Sequence, residues 1–171
     1  MNILLFAGLS DRKLLSKISP LISLDKVDRV YLARNSELKF EKVTSLRLPR
    51  WLKTPVLREF AKLLYGIRLG LSAKIDYVIG IYFIPHGILA SLIGRILGKP
   101  VVQLFIGDDV DAAVRHKKTS RWLLRNARAI GVRGTRSAER LGRILGGTPA
   151  GTEVCLTGEV GKSLDRSPKL T

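Results

Sequence analysis

The sequence predicts an α/β fold in which a mostly parallel sheet is covered by helices on both faces. Short apolar runs of strand length alternate along the chain with segments of helical periodicity. Several of these runs are apolar without interruption, as expected for strands buried on both sides in a parallel sheet. The chain has 171 residues, enough for one domain with a substantial core.

The order of strands and helices follows from the apolar runs and from the residues that begin or end them. Predicted strands lie at residues 3–7, 27–33, 43–48, 76–82, 101–105, 129–133 and 154–157, and predicted helices at 12–21, 53–72, 86–97, 120–126 and 136–145. Glycines at 98 and 146 are typical of helix ends. We expect residues 1–147 to form the domain and residues 148–171, rich in Gly, Thr, Ser, Pro and Lys, to form a linker or tail.

Charge and cysteine content limit the classes of partner and of site. The chain carries 30 Lys and Arg against 14 Asp and Glu, a formal net charge of +16, which favours anionic partners. Cys155 is the only cysteine, so an internal disulfide is excluded and a zinc site of the Cys/His kind is disfavoured. The N-terminal apolar run lacks the basic flank and length of a secretory signal, and the uncharged stretch 77–93 is broken by Pro85. We therefore expect a cytoplasmic protein without a bound metal.

Ligands of open α/β sheets bind at the carboxyl ends of the strands, and the turns predicted there are rich in Gly, Asp and other polar residues. Asp109 is a candidate general base, although Gly and Asp are equally typical of a turn and helix cap. The cluster of Asp108, Asp109 and Asp111 is more typical of caps than of a metal site. The residues predicted to bind an acceptor in this cleft are Gly8, Ser10, His86, Gly107, Asp108 and Arg133.

Two segments concentrate the basic residues. Residues 47–74 contain seven basic side chains against Glu59 alone, with aromatic residues among them, a pattern typical of helices on anionic membranes. We expect the apolar stripe to pack inward while the opposite face meets lipid through Arg50, Trp51, Lys53, Arg58 and Lys62; a solvated basic face is the simpler alternative. Residues 115–143 hold ten more basic residues, but few aromatics for base stacking, which disfavours nucleic acid as a partner.

Between residues 76 and 145 the sequence resembles the N-terminal domain of glycosyltransferase family 4, one half of a GT-B fold. Three pieces match in order, namely 76–80 with 85–90, 98–102 with 107–110, and 126–132 with Ser137 and Leu141. Two departures stand out: the first loop has Gly8 where the family has paired glycines, and Ile106 replaces the family's histidine before Gly-x-Asp. The resemblance does not extend to the donor-binding half, whose paired glutamates have no counterpart here.

The resemblance implies a Rossmann-like domain that binds the acceptor for transfer of a sugar from a nucleotide-sugar donor, without a resident cofactor. The acceptor is expected to be lipid- or polysaccharide-linked, at the inner face of the membrane, and a second polypeptide or segment would carry the donor site. Residues 132–137 and 156–159 are also similar to polysaccharide pyruvyl transferases, which share the architecture but transfer a different group. A non-enzymatic basic module that binds membranes or nucleic acid is the third alternative.

Overall fold

Seven parallel strands form one sheet in the order β3-β2-β1-β4-β5-β6-β7. The computed structural model describes residues 1–34, 36–46, 48–49, 52, 54–106, 109–125 and 127–146, and the backbone of 153–156. The strands are β1 (Asn2–Phe6), β2 (Arg29–Ala33), β3 (Val43–Ser45), β4 (Ile75–Ile81), β5 (Val101–Leu104), β6 (Ala127–Val132) and β7 (Glu153–Leu156). The predicted Rossmann-like α/β class is confirmed.

Six α-helices and one wide turn connect these strands within the described residues. The helices are α1 (Asp11–Ile22), α2 (Pro55–Ser72), α3 (Ile88–Leu97), α4 (Asp109–Arg115), α5 (Lys117–Leu124) and α6 (Thr135–Leu145). A single π-type turn, Phe83–Gly87, precedes α3. The sequence predicted α3 to begin at His86, but His86 lies in this turn, where Ile84 interrupts the helical conformation.

The two faces of the sheet carry separate parts of the core because side chains alternate along each strand. In β1, Ile3 and Leu5 pack with α1, whereas Leu4 and Phe6 face the opposite layer. That opposite layer consists of α2 and α3, which pack over β1 and β4, followed by α4, α5 and α6 over β5 and β6. All connections that cross the sheet from β3 to β7 therefore place their helices on one face, as right-handed crossovers require.

The orientation of α2 is opposite to the prediction. Its apolar stripe, expected to pack inward, is largely exposed, and Lys62, expected on the membrane-facing surface, is only 1% exposed. The reason is steric, because Gly66 and Gly70 bring the other side of the helix against the sheet and α3. A Cβ at Gly66 would lie 2.5 Å from Ile93 Cδ1, and one at Gly70 would lie 2.0 Å from Leu97 Cδ1.

Two further segments differ from the sequence-based expectation. Asp109 and Asp111, read as a turn or cap, begin the short helix α4, where carboxylates interact favourably with the helix dipole. The predicted strand near Val154 forms as β7 and pairs with β6, so the sheet includes part of the segment expected to be a linker or tail.

We predict that Gly66→Ala destabilises the protein, whereas Gly142→Ala stabilises it. Alanine gains about 1 kcal/mol over glycine in a helix, but at Gly66 the added methyl overpacks the core at a cost of about 1–3 kcal/mol. Gly142, in α6, is the matched control because nothing lies within 4 Å of its Cβ position. Urea unfolding of both variants tests the packing of α2, and stabilisation by both substitutions would contradict it.

Candidate functional site

The direction of strand order reverses between β1 and β4, where an open α/β sheet forms its ligand crevice. The chain leaves β1 toward α1 on one face of the sheet and leaves β4 toward α3 on the other. Gly8 follows β1 and His86 follows β4, so both lie at the carboxyl edge of this switch point. Asp109 follows β5, the next strand. The three residues predicted to line one cleft thus follow three adjacent strands.

The turn that carries His86 is anchored to the sheet by a buried amide. Gln103 Nε2, in β5, donates to the Gly87 carbonyl at 2.7 Å and to Ser91 Oγ at 2.8 Å. Gly80 has no side chain, and a Cβ there would lie 2.8 Å from Gly87 Cα, so the turn packs directly on β4. Tyr82 enters the turn with φ of +72°, which strains a residue with a side chain by about 1–3 kcal/mol.

His86 belongs to a buried cluster with two residues of α2. Lys62 Nζ lies 2.6 Å from Glu59 Oε1, and Glu59 Oε2 lies 3.9 Å from His86 Nδ1. Neither Oε2 nor Nδ1 has a hydrogen-bond partner among the described residues, although both atoms are buried. Burial, and then the positive charge of Lys62, lower the pKa of His86 to about 4, against an opposing effect of Glu59. The imidazole is therefore neutral at pH 7.

Gly8 allows the His86 ring to reach the switch point. A Cβ at Gly8 would lie 2.5 Å from His86 Nε2, closer than such atoms approach in proteins. Gly8 is exposed whereas His86 is 7% exposed, so the Nε2 side of the ring lies against an accessible turn. The structure thus brings Gly8 and His86 into direct contact, as one predicted site.

A second charged group lies beside this turn on the other side of β1. Arg34 follows β2, is 6% exposed, and its Nη2 lies 2.7 Å from Asp11 Oδ1. The same guanidinium donates to Ser36 Oγ, and its Nη1 is buried without a partner in the described part of the chain. The Arg34 guanidinium therefore retains one hydrogen-bond donor, Nη1, that no described group accepts. Glu59 Oε2 and His86 Nδ1 are likewise buried without a hydrogen-bond partner in that part of the chain.

The remaining predicted cleft residues are less closely associated. Asp109 Oδ2 accepts the Ile106 backbone N–H at 2.8 Å, a local contact at the start of α4. Ser10 is the N-cap of α1 but makes no side-chain cap bond, and Arg133 is exposed immediately after β6. Gly107 and Asp108 lie outside the described residues. The proposed catalytic role of Asp109 stays a prediction.

Sequence reasoning missed Glu59, Lys62 and Arg34 as parts of the site. Glu59 was noted only as a lone acid in a basic segment, and its spacing of three residues from Lys62 is the signal of an intrahelical ion pair. Gly66, four residues beyond Lys62, marks the same helix face as closely packed. Arg34 gave no signal, because a single arginine after a strand is common on protein surfaces.

The outer face of helices α2, α3 and α5 combines apolar and basic side chains. Leu71 in α2 is 78% exposed and Trp122 in α5 is 49% exposed, with the Arg95 guanidinium 4.0 Å above the Trp122 ring. Glu59 is the only carboxylate of these three helices, and it turns inward to Lys62. The exposed apolar residues of this face are Val56, Leu57, Phe60, Leu64, Tyr65, Leu71, Ile96 and Trp122.

Of the five residues predicted to contact a membrane, two are described. Arg58 is half-buried and its Nε donates to the Leu52 carbonyl at 2.8 Å, while Lys62 is buried as described above. Arg50, Trp51 and Lys53 lie outside the described residues. No helix in the described ranges is long and apolar enough to cross a membrane. The same ranges contain no group of three His, Cys, Asp or Glu side chains arranged to hold a metal ion.

No family model and no curated protein sequence matches this chain. Its fold is similar to that of the UDP-GlcNAc 2-epimerase from Methanocaldococcus jannaschii, with a TM-score of 0.62 and 13% identity over 90% of this chain. A second UDP-N-acetylglucosamine 2-epimerase structure gives a TM-score of 0.60 and 11% identity over 84% of the chain. The chain spans 45% and 44% of these two proteins, slightly less than half of each. Both are GT-B-type enzymes, so the resemblance to that architecture is confirmed, and the finer assignment to glycosyltransferase family 4 is not.

We predict that His86 makes the protein less stable as the pH falls. Because its folded pKa of about 4 lies below its ordinary value of 6.5, the unfolded chain binds the proton more readily. Stability is therefore lost as the pH falls from about 6.5 to about 4, by about 3 kcal/mol in total from this group. Urea unfolding at pH 7, 5.5 and 4.5 should show a shallower loss for His86→Gln than for the original chain. His116→Gln, at an exposed site, is the control; equal slopes in all three proteins would refute the assignment.

Proposed function

We propose that this chain is the acceptor-side half of a GT-B enzyme that transfers a sugar from a nucleotide-sugar to a lipid- or polysaccharide-linked hydroxyl. The observation that supports this most directly is the polar cluster at the switch point. Gly8, His86, Glu59 and Lys62 place a neutral imidazole at the position where such folds hold their ligands. The fold neighbours are nucleotide-sugar enzymes by name, and this chain covers less than half of each.

In this proposal the described half positions the acceptor and a second Rossmann-like unit, on the same or another polypeptide, binds the nucleotide. The first loop offers Gly8 alone to a phosphate, with His86 occupying the space beside it. A neutral histidine and a paired carboxylate are suited to hydroxyl groups. Asp109 remains the candidate base of this proposal, because it begins α4 directly after β5, at the same edge of the sheet as His86.

The second candidate is one half of a nucleotide-sugar epimerase, which the names of both fold neighbours favour. An epimerase acts on the nucleotide-sugar alone and needs no acceptor. Product analysis separates the candidates, because transfer forms a new glycosidic bond and epimerisation inverts one carbon of the donor sugar. The same analysis by mass distinguishes a transferred hexose from a transferred pyruvyl group.

We predict that the 171-residue chain binds UDP-GlcNAc with a dissociation constant above roughly 1 mM, because most phosphate-binding groups belong to the other half. Isothermal titration measures this directly, with UMP as a control for the nucleotide moiety. Adding the second half, sought first in the neighbouring reading frame, should raise the affinity at least tenfold and restore turnover. Micromolar binding by the chain alone would contradict the half-enzyme proposal.

We further propose that the outer face of helices α2, α3 and α5 rests on an anionic membrane, which would bring a lipid-linked acceptor to the cleft. The supporting observation is charge. Besides the buried Lys62, these helices carry Arg58, Arg68, Arg95, Lys117, Lys118 and Arg121 and no outward carboxylate. Two of these, Arg58 and Arg121, donate to the backbone carbonyls of Leu52 and Ile144. Exposed Leu, Phe and Trp side chains supply the apolar contact, and Trp suits the interface because its ring is amphipathic.

We predict that the chain sediments with vesicles of phosphatidylglycerol and phosphatidylcholine but much less with phosphatidylcholine alone. The double substitution Phe60→Ser and Leu64→Ser should weaken partitioning at least tenfold, since burying each apolar side chain contributes about 1.5–3 kcal/mol. Phe40→Ser, which removes an exposed aromatic residue outside this face, is the matched control. If the chain instead self-associates without vesicles, and the same double substitution abolishes that association, the outer face binds a protein partner rather than a membrane.

A further inference from the structure

The cluster at the switch point leaves open which nitrogen of His86 carries its proton, and the surrounding charges decide it. His86 is neutral, so one ring nitrogen donates and the other accepts. Nδ1 faces Glu59 Oε2 at 3.9 Å, and Nε2 faces the Gly8 turn. The proton on one nitrogen therefore determines the hydrogen-bonding character of the other, at the surface of the crevice.

Glu59 forms an ion pair in this cluster, since Lys62 Nζ lies 2.6 Å from its Oε1. Lys62 is 1% exposed, so its ammonium group has lost its hydration and depends on this carboxylate. An ionised carboxylate only accepts hydrogen bonds. The nitrogen that faces it is accordingly the one that carries the proton, as in other sites where a carboxylate fixes the tautomer of a histidine.

With the proton on Nδ1, the lone pair lies on Nε2 at the Gly8 turn. A lone pair accepts a hydrogen bond, so a ligand there has to supply a donor. A sugar or alcohol hydroxyl is a donor, whereas a phosphate oxygen without a proton is an acceptor and faces the lone pair unfavourably. The absence of a Cβ at Gly8 keeps the approach to Nε2 free of a side chain from that residue.

We propose that Glu59, held by Lys62, is the positioning residue that fixes His86 as its Nδ1–H tautomer, so that Nε2 binds a ligand hydroxyl and discriminates against phosphate. This inference rests on the proposed function in one respect, because the ligand hydroxyl is taken to be that of the acceptor. Closure of the 3.9 Å gap between Nδ1 and Oε2 would accompany ligand binding, since catalytic hydrogen bonds tighten in complexes.

The tautomer is read from long-range ¹H–¹⁵N spectra of the uniformly labelled 171-residue chain at pH 7. We expect a protonated-type nitrogen shift for Nδ1 of His86 and a lone-pair-type shift for Nε2, with the exposed His116 as the internal reference. Glu59→Gln should move His86 toward the Nε2–H tautomer that free imidazole side chains prefer. An Nε2–H tautomer or an imidazolium in the original chain overturns the proposal, whether or not the variant folds.

Ligand discrimination is tested with methyl α-glucoside and with sulfate, which stands in for a phosphate group whose oxygens carry no proton, each titrated to several hundred millimolar in separate samples. The glucoside should shift His86 Nε2 and sulfate should leave it unchanged; a response to sulfate alone, to both, or to neither counts against the hydroxyl site. Gly8→Ala should abolish the glucoside response, because its Cβ would lie 2.5 Å from Nε2 and displace the ring from the turn. If the tautomer spectrum and the ligand titration both agree with expectation but the reconstituted enzyme transfers no sugar, the proposed function fails and the role of Glu59 and His86 stands.

Discussion

The buried side of α2 is the constraint on which the rest of this structure depends. Gly66 and Gly70 bring this side close to the sheet and to α3, and that close packing fixes the rotation of α2 about its axis. The same side carries Lys62, which is 1% exposed and pairs with Glu59 of the same helix. Removing one partner of such a pair costs about 3–5 kcal/mol because the other charge is left uncompensated. With Lys62, Gly66 and Gly70 turned inward, Leu64 and the other apolar residues on the opposite side are necessarily turned outward. One buried helix face thus determines both the chemistry at the crevice and the character of the outer surface.

The topology of the sheet explains why the ion pair between Lys62 and Glu59 matters for function and not for stability alone. Helix α2 arrives from β3, crosses to the second face of the sheet, and its first turns pass beside the carboxyl end of β4. Glu59 therefore stands next to the turn that carries His86, at the one point where the strand order reverses. A pair of apolar residues would fill the same space and would often be as stable. The polar pair contributes a defined electrostatic environment for the imidazole, which an apolar pair cannot provide.

The sequence was sufficient for the fold and for part of the site. Apolar runs located all seven strands, and the rule that parallel strands end at one edge was enough to bring Gly8, His86 and Asp109 to the same side. Periodicity identified the apolar stripe of α2 but not the direction it faces, because a stripe has the same spacing whether it packs on a core or on another partner. The role of Glu59 was also beyond the sequence, since it depends on a contact across 27 residues with His86. Helix α4 was missed because Asp109 and Asp111 suit a turn and a helix start equally well.

The unsatisfied atoms of the crevice support a ligand site on physical grounds. Buried polar atoms are nearly always hydrogen-bonded, and leaving one unpaired costs about 1–3 kcal/mol. Four such atoms are unpaired among the described residues, namely Arg34 Nη1, Glu59 Oε2, His86 Nδ1 and Gln103 Oε1. Arg34 and His86 follow β2 and β4, at the carboxyl edge beside β1, Glu59 faces His86, and Gln103 lies within β5. Tyr82, with its strained backbone, immediately precedes the His86 turn. A protein without a ligand at this edge would gain stability by replacing these groups. The presence of the His86 and Glu59 atoms together is explained if a hydroxyl-bearing ligand at Nε2 is accompanied by closure of the 3.9 Å gap between Nδ1 and Oε2, so that the cost of the open site is the condition for binding it.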